Sequence, residues 1–343
     1  MNQRVSFRKL AALTVITILT TLSSPVLAVQ KKDKRKASPP QGTPVLWRAH
    51  RDAAALDLFL GPGGEAMRPD LSGVTFIKQE TGGFSTKYRV RDGAGREWVA
   101  KLGGEAQSET AAVRLVWAAG YQTEINYLAP CVHIKGAPGA KGVERCDGDG
   151  FRNVRFEARP EGWDRLDEWK WKDKKNIFYG TKELQGLVVL NALLNNWDLK
   201  SANNKVVYVP GGRAGGGELR YIISDLGATF GKTGNLPVVW RFTRSRSKPE
   251  DYAAQSFVDE VKGRNVFFNY GGKNQELFDD IYVEEARWVG QLLSRLSDRQ
   301  IGDAFRAANY TPAEVEVLAG AVRARVDELV NLAPRAAAVG QKP

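Results

Sequence analysis

The sequence contains very little histidine and cysteine, which argues against several common kinds of chemistry. Among its 343 residues there are two cysteines and two histidines. Neither His50 nor His133 has a nucleophile-like context, so a Ser–His–Asp site is not predicted. A structural zinc ion needs four ligands, and His133 is the only histidine near Cys131 and Cys146. A zinc cluster is therefore not predicted either.

The chain also lacks a long uninterrupted apolar run. Its most apolar stretch, residues 10–28, is broken by four threonines and two serines, which makes it a marginal membrane span. Three cations precede this stretch, and it ends on Pro-Val-Leu-Ala. The pattern is typical of a signal peptide, so residues 1–28 are predicted to direct export to the periplasm or out of the cell. An uncleaved membrane anchor is the alternative, and it would be the only membrane contact.

Acidic residues are too few to balance the basic ones, and the formal net charge is +11. Removal of residues 1–28 lowers it to +8, because that segment holds three cations and no anions. A basic surface favours anionic partners such as nucleotides, acidic peptides, wall polymers or lipid headgroups. The sequence has no basic–aromatic reader motif, so no specific nucleic-acid partner is predicted.

Composition divides the exported part into four segments. Residues 29–45 are rich in lysine, proline and glycine and predict a flexible linker, whereas residues 336–343 predict a disordered tail. Between them, residues 46–158 carry mainly strand patterns and residues 159–335 mainly helical ones. Residues 159–162 would form the hinge. The predicted fold class is therefore α+β, with an antiparallel sheet lobe that carries one helix and a mainly helical second lobe.

Local signals predict the individual elements. The first lobe should contain a helix over residues 108–119 and five strands, at residues 74–78, 87–91, 97–102, 125–135 and 153–158. The second lobe should contain a long helix over residues 181–197, one β-hairpin over residues 205–224, and helices that begin with capping boxes at Ser297 and Thr311. Two cysteines in an exported chain usually pair, so Cys131 and Cys146 are predicted to form a disulfide.

A lysine and a glutamate stand out from their surroundings. Lys101 follows Trp-Val-Ala on a predicted strand, and Glu109 lies on the apolar face of the next helix with Val113 and Val116. A carboxylate on an apolar face is costly to bury unless it meets a cation. A Lys101–Glu109 pair explains both residues, with Glu105 as a second candidate partner. The alternative for the lysine is an ordinary solvated position.

The strongest motif follows the predicted 181–197 helix. Residues 198–203 read Asp-Leu-Lys-Ser-Ala-Asn, and residues 225–227, at the end of the predicted hairpin, read Asp-Leu-Gly. Each string alone is explained by a polar helix end or a turn. Together, in this order and on these elements, they resemble the catalytic loop and the metal-binding Asp-Phe-Gly of protein kinases.

The chain thus resembles the protein-kinase-like superfamily over about residues 70–335. In detail it is similar to the atypical branch, which includes phosphoinositide-type, toxin–antitoxin-type and secretory-pathway kinases. The resemblance implies a two-lobed fold that binds ATP with Mg²⁺ or Mn²⁺.

The same resemblance implies a role for each motif residue. Lys101 would hold the α- and β-phosphates, and Glu109 would orient it. Asp198 would align or deprotonate the acceptor, and Lys200 would neutralise the transferred phosphate. The metal ions would be bound by Asp225 and by Asn203, or by Asn204 if the loop is shifted by one residue.

The sequence departs from the kinase pattern in three places. Asn196-Trp197 replaces the usual His-Arg before the catalytic aspartate. The phosphate-covering loop lacks Gly-x-Gly-x-x-Gly and offers instead Gly82, Gly83, Ser85 and Thr86. No Ala-Pro-Glu segment follows Asp225, which puts peptide docking in doubt. A basic stretch takes its place and either docks an acidic acceptor or is simply solvated; it comprises Arg241, Arg244, Arg246 and Lys248.

Three functions are compatible with these observations. The leading hypothesis is an exported phosphotransferase that moves the γ-phosphate of a metal nucleotide to an unknown acceptor, because the lysine, both aspartates and the amide ligand are all retained. The second is a non-catalytic, kinase-shaped binding protein of the envelope, favoured by the departures and by the scarcity of ATP outside the cytoplasm. The third is a basic scaffold for anionic wall polymers or lipids.

Overall fold

The computed structural model of the protein describes residues 40–83, 85–211, 216–234 and 243–333. The predicted signal peptide, residues 29–39 of the predicted linker, and the predicted tail lie outside the described residues. Arg241 of the basic stretch lies outside them as well.

The described elements come in runs of strands separated by single helices and end in three successive helices, which is an α+β order. The strands are β1 (Gly42–Val45), β2 (Val74–Glu80), β3 (Lys87–Arg91), β4 (Glu97–Lys101), β5 (Asn126–Val132), β6 (Ile134–Lys135), β7 (Phe151–Ala158), β8 (Asp164–Asp167), β9 (Asn204–Val209), β10 (Gly217–Ile223), β11 (Val258–Lys262) and β12 (Asn265–Phe268). The helices are α1 (Ala106–Ala118), α2 (Lys182–Leu193), α3 (Pro249–Ala254), α4 (Val283–Ser294), α5 (Asp298–Arg306) and α6 (Pro312–Val330). The predicted fold class is confirmed.

A six-stranded sheet forms the first part of the fold, in the order β5-β7-β4-β3-β2-β6. Its pairings are antiparallel apart from β2 with β6, which is parallel. Tyr88, Trp98 and Phe156 lie in the apolar core on one side of the sheet. Because side chains alternate along a strand, Lys101 and its cross-strand neighbour Arg155 lie on the other side. The alternation thus gives the sheet one apolar face and one charged face.

The first strand corrects the predicted end of the linker. Gly42–Val45 forms β1, which pairs in parallel with β10 in a sheet of order β1-β10-β9-β8. A side chain at Gly42 would meet the backbone, since a Cβ there would lie 2.7 Å from the carbonyl oxygen of Gly217. The glycine that suggested a linker is therefore used for close strand packing.

Helices α2, α4, α5 and α6 supply most of the second part. Thr181 caps α2 by accepting from Leu184 N, and both predicted capping boxes, at Ser297 and Thr311, are present. The prediction that α2 extends to residue 197 is wrong, because it ends at Leu193 and Asn195 is left-handed with φ +53°. Among the described helices, none is both long and apolar enough to cross a membrane.

The prediction of one hairpin in the second part is also wrong. Strand β8 joins β9 and β10, and β11 forms a second hairpin with β12. Residues Asp164–Asp167 are all exposed and lack the alternation that identifies a strand. The division into lobes at residue 159 stays a prediction, since the chain from Pro40 onward forms a single compact unit.

Cys131 and Cys146 form a disulfide, as predicted. It links β5 to the loop before β7 and closes a short loop, with a sequence separation of 15. Gly150 lies against both sulfur atoms, and a Cβ there would be 2.9 Å from Cys146 Sγ.

Reduction of this disulfide should lower the free energy of unfolding by about 3 kcal/mol, because a loop of this length loses much of its unfolded-state entropy when it is closed. Urea unfolding with and without reductant measures the difference. The Cys131→Ser/Cys146→Ser double variant is the control and should not respond to reductant. Equal stability of the oxidised and reduced protein would contradict the prediction.

Candidate active site

The side chain of Lys101, at the end of β4, lies at the centre of an ionic cluster. Its exposed fraction is 2%. Its Nζ lies 2.9 Å from Glu109 Oε2, 2.8 Å from Glu105 Oε2 and 2.7 Å from Asp225 Oδ1. Burial alone would lower the pKa of Lys101, but Glu109 and Asp225 raise it. The lysine is therefore held as an ammonium ion in a protein interior, with both candidate glutamates as partners.

Helix α1 brings the two glutamates to the lysine. Glu109 is buried in the first turn, and Glu105 occupies the N-cap position without capping the helix with its side chain. The second oxygen of Glu109 lies 3.2 Å from the Arg155 guanidinium on β7. Glu109 is thus fixed between two cations, in the position that the apolar helix face predicts.

Asp225 reaches the cluster from the end of β10. It is left-handed, with φ +56°, and 41% of its side chain is exposed. Burial would raise its pKa, but Lys101 holds it below the usual range. Gly227 allows this turn to approach α1, because a Cβ there would lie 2.6 Å from Glu105 Cβ. Asp225 is the member of the cluster most open to solvent.

The 196–204 loop forms a second ionic group beside this one. Asp198 lies 2.7 Å from Lys200 Nζ through Oδ2. Asn203 Nδ2 donates to the Asp198 carbonyl at 2.9 Å, while its own carbonyl accepts from Ser224 N at 2.8 Å. That second bond joins the loop to the residue before Asp225. Burial would lower the pKa of Lys200, but Asp198 and, in addition, Asp225 raise it, so the two groups interact electrostatically.

The structure distinguishes the two candidate asparagines. Asn204 is fully buried at the start of β9, and its side-chain nitrogen donates to the Trp169 carbonyl at 3.2 Å. Asn203 is half-buried and bonds to Asp198. Asn203, and not Asn204, therefore lies with the motif residues.

Lys273 is a site residue that sequence reasoning missed. Its Nζ lies 2.7 Å from Asp198 Oδ1, so this carboxylate contacts two lysines. Lys273 N donates to the Trp197 carbonyl at 2.9 Å, and Tyr270 Oη donates to the Asn196 carbonyl at 2.7 Å. No local sequence pattern predicts this contact, because Lys273 lies in a loop far from Asp198 in sequence.

The predicted phosphate-covering loop contributes one side chain to the cluster. Ser85 Oγ donates to Glu105 Oε2 at 2.6 Å. Gly82 and Gly83 form the turn before it with positive φ, and the Thr86 carbonyl accepts from Leu102 N at 2.9 Å. Phe84 lies outside the described residues.

Arg155 extends the ionic contacts behind the site. Its guanidinium lies 3.4 Å from Glu124 and 2.9 Å from Glu157, and Arg165 on β8 contacts the same two glutamates. Ser224 Oγ donates to Glu124 at 2.7 Å. This buried network, which the sequence did not indicate, connects Glu109 to the residue next to Asp225.

Two arginines of the basic stretch turn toward the site. Arg246 pairs with Glu105, and its guanidinium lies 4.9 Å from the Trp197 ring centroid. Arg244 also stacks near Trp197 and donates to the Thr233 and Gly271 carbonyls. Trp197, a departure from the kinase pattern, therefore supports this stretch.

These parts follow one another in the order that the sequence resemblance implies: a lysine strand, a glutamate helix, the Asp198 loop, a hairpin, and then Asp225.

Comparisons with known proteins give remote likenesses. No protein-family model and no curated protein matches the sequence. Among solved structures, the chain is similar to the proinflammatory kinase CtkA of Helicobacter pylori, with a TM-score of 0.42 and 13% identity over 76% of this chain and 93% of that one. It is also similar to hydra Fam20 with sugar, with a TM-score of 0.35 and 11% identity over 78% and 88%. Likenesses this remote assign no function to this chain.

Replacement of Lys101 by methionine should cost about 3–5 kcal/mol at pH 7.5, because it leaves buried carboxylates without their cation. The deficit relative to the unaltered protein should shrink towards pH 5. Buried carboxylates that have lost their cation take up protons as the pH falls, because burial raises the pKa of a group such as Glu109.

Urea unfolding at both pH values measures this deficit. Lys78→Met is the matched control, because that lysine is 61% exposed and its removal should change little. A Lys101→Met deficit of equal size at both pH values would contradict the interpretation.

Proposed function

We propose that the protein is an exported phosphotransferase that moves the γ-phosphate of a metal nucleotide to an acceptor. The observation that carries the proposal is the buried Lys101–Glu109–Asp225 cluster, hydrogen-bonded through Ser224 and Asn203 to the loop of Asp198. A buried ammonium ion, a partly exposed carboxylate and a second carboxylate with its own lysine form the set that phosphoryl transfer requires. A purely structural ion pair would not need the second group.

The nucleotide would be held chiefly by its phosphates. In this proposal Lys101 binds the α- and β-phosphates and Glu109, fixed by Arg155, orients it. The strand face beside Lys101 is charged, since Val99 has Arg89 and Glu157 as cross-strand neighbours. Pockets for nucleobases are mostly apolar, so we infer that the triphosphate and its metal ion supply most of the affinity.

Asp225 and Asn203 offer oxygen atoms that are suitable as metal ligands. The Asn203 amide nitrogen is engaged by Asp198, which leaves its oxygen for a cation. Mg²⁺ commonly takes one or two carboxylates and completes its shell with water and phosphate oxygens. The described residues contain no group of three His, Cys, Asp or Glu side chains arranged for a metal. A bound Mg²⁺ or Mn²⁺ ion would neutralise charge on the transferred phosphate.

Asp198 would orient the acceptor hydroxyl and accept its proton. Lys200 and Lys273 each lie 2.7 Å from one oxygen of this carboxylate, so two ion pairs favour its orientation before the acceptor arrives. Lys200 would then neutralise charge on the transferred phosphate. The arginines near Trp197 support an acidic acceptor, although both already bond within the protein.

Export is proposed from the signal-peptide pattern of residues 1–28 and agrees with the Cys131–Cys146 disulfide. Disulfides persist in oxidising compartments and are rare in the reducing cytosol. A disulfide is therefore expected in an exported chain.

A non-catalytic binding protein of the same fold is the second candidate. Its support is the Glu105 carboxylate, which bonds to both Lys101 and Ser85 and so takes up groups that would otherwise contact a phosphate. A basic scaffold for polyanions is a weaker alternative. It would show salt-sensitive polyanion binding that Asp225→Ala leaves unchanged.

ATP with Mg²⁺ or Mn²⁺ should raise the melting temperature by about 5–10 °C when its concentration is a hundred times Kd, the equivalent of about 2.7 kcal/mol. Asp225→Ala should lose the metal-dependent part of the shift. The matched control is Asp164→Ala, at an exposed aspartate of β8, which should keep it. No shift at millimolar ATP would remove the nucleotide site from the proposal.

Asp198→Ala should abolish phosphate transfer while the ATP-dependent melting shift persists, because Asp198 acts on the acceptor and not on the nucleotide. Incorporation of γ-labelled phosphate from ATP, screened over acidic proteins, wall polymers and lipids, measures transfer. Transfer at the unaltered rate in Asp198→Ala would contradict its assigned role. No transfer by the unaltered protein despite tight ATP binding would favour the binding-protein candidate.

A further inference from the structure

The Glu105 carboxylate lies among donors that do not come from its own helix. Oε2 lies 2.8 Å from Lys101 Nζ and accepts from Ser85 Oγ at 2.6 Å, and Oε1 pairs with the Arg246 guanidinium. Ser85 belongs to the turn between β2 and β3, Lys101 to the end of β4, and Arg246 to the segment after Asp225. Three separate parts of the chain therefore converge on one carboxylate.

The backbone around Glu105 suits a side chain that can leave this position. Its side chain makes no cap to α1, although it stands at the N-cap. Gly103 and Gly104 precede it, and a Cβ at either would meet nothing within 4 Å, which leaves open space on that side. Gly227, by contrast, admits Glu105 closely. The Glu105 side chain is thus held by contact with the Asp225 turn and by Lys101, Ser85 and Arg246, and not by a bond to its own helix.

The donor set around this carboxylate is one that binds phosphate. An ammonium ion, a guanidinium ion and a hydroxyl group are charge-assisted or strong donors to an anionic oxygen, and arginine in particular matches phosphate and carboxylate alike. Burial would raise the pKa of Glu105, but Lys101, Ser85 and Arg246 hold it low, so the group they surround is an anion. Arg246 is held over Trp197, whose Nε1 donates to the Ser245 carbonyl at 2.9 Å.

We propose that Ser85, Lys101 and Arg246 form a subsite for the terminal phosphates of the nucleotide, and that Glu105 fills this subsite in the ligand-free protein. A phosphate that enters takes over these donors, and the Glu105 side chain moves out. Ser85 and Arg246 thereby become nucleotide-binding residues, and Glu105 opposes binding even though it contacts the same lysine as Glu109. This inference rests on the proposed function, since it assigns a subsite within the same nucleotide site.

The test compares Glu105→Gln with Glu109→Gln, which make the same chemical change on two partners of Lys101. Glu105→Gln should bind Mg²⁺–ATP about tenfold more tightly than the unaltered protein, because the phosphates no longer displace a charged competitor. Glu109→Gln should bind it more weakly. AMP, which lacks the β- and γ-phosphates, should bind both proteins weakly, and Glu105→Gln should tighten its binding by no more than about twofold. Isothermal titration calorimetry measures each Kd.

Two further variants complete the experiment. Arg246→Gln should weaken ATP binding in the Glu105→Gln background and leave AMP binding unchanged. Glu80→Gln, at a carboxylate that pairs with Arg89 and Lys78, controls for a general change in charge. Melting temperatures establish that each variant is folded.

The outcomes separate this inference from the proposed function. Binding of ATP that depends on Lys101 but is no tighter in Glu105→Gln would overturn the subsite and leave the phosphotransferase proposal in place. An equal gain for ATP and AMP would also overturn it, since the terminal phosphates would not be involved. If neither the unaltered protein nor Glu105→Gln binds ATP, both proposals fail together.

Discussion

The charge on Lys101 is the constraint on which the geometry of the site depends. An ammonium ion that is 2% exposed is unfavourable in a protein interior unless anions compensate it closely. Its partners come from the start of α1 and from the turn after β10, so a shift of either element removes at least one of the anions that compensate the charge. The position of the helix on the sheet and the approach of the Asp225 turn are thus consequences of one buried cation.

The same constraint spreads beyond the cluster because Glu109 is shared. Its second oxygen meets Arg155, which shares Glu124 and Glu157 with Arg165 of β8. Ser224, the residue before Asp225, donates to Glu124 and so connects the network back to the Asp225 turn. Networks of this kind hold their members in one arrangement, and partial loss of a member is costly. The site is therefore organised by charge pairs that reach it from behind as well as from the front.

Sequence reasoning succeeded where the signal was local and failed where it depended on distant partners. The strand of Lys101 and the helix face of Glu109 are short-range patterns, and so are the capping boxes at Ser297 and Thr311. Lys273 and Arg155 escaped notice because their partners are set by the packing of separate elements. The sequence offers Glu105 as a second partner of Lys101, but its bonds to Ser85 and Arg246 depend on the packing of separate elements. The sequence predicts a linker where β1 forms. A glycine such as Gly42 can either make the chain flexible or let two strands approach closely, and the local sequence does not distinguish the two.

That first strand bears on how the protein reaches its folded state. Gly42 pairs with Gly217, about half the chain further on, and the strand that begins at Gly217 ends beside Asp225. Contacts of such large sequence separation form slowly, because the chain loses the entropy of closing a long loop before the contacts can stabilise it. In a chain that emerges N-terminus first, β1 has no partner until β10 has followed it. This edge of the sheet is thus completed late, and a chain halted partway would expose an unpaired strand.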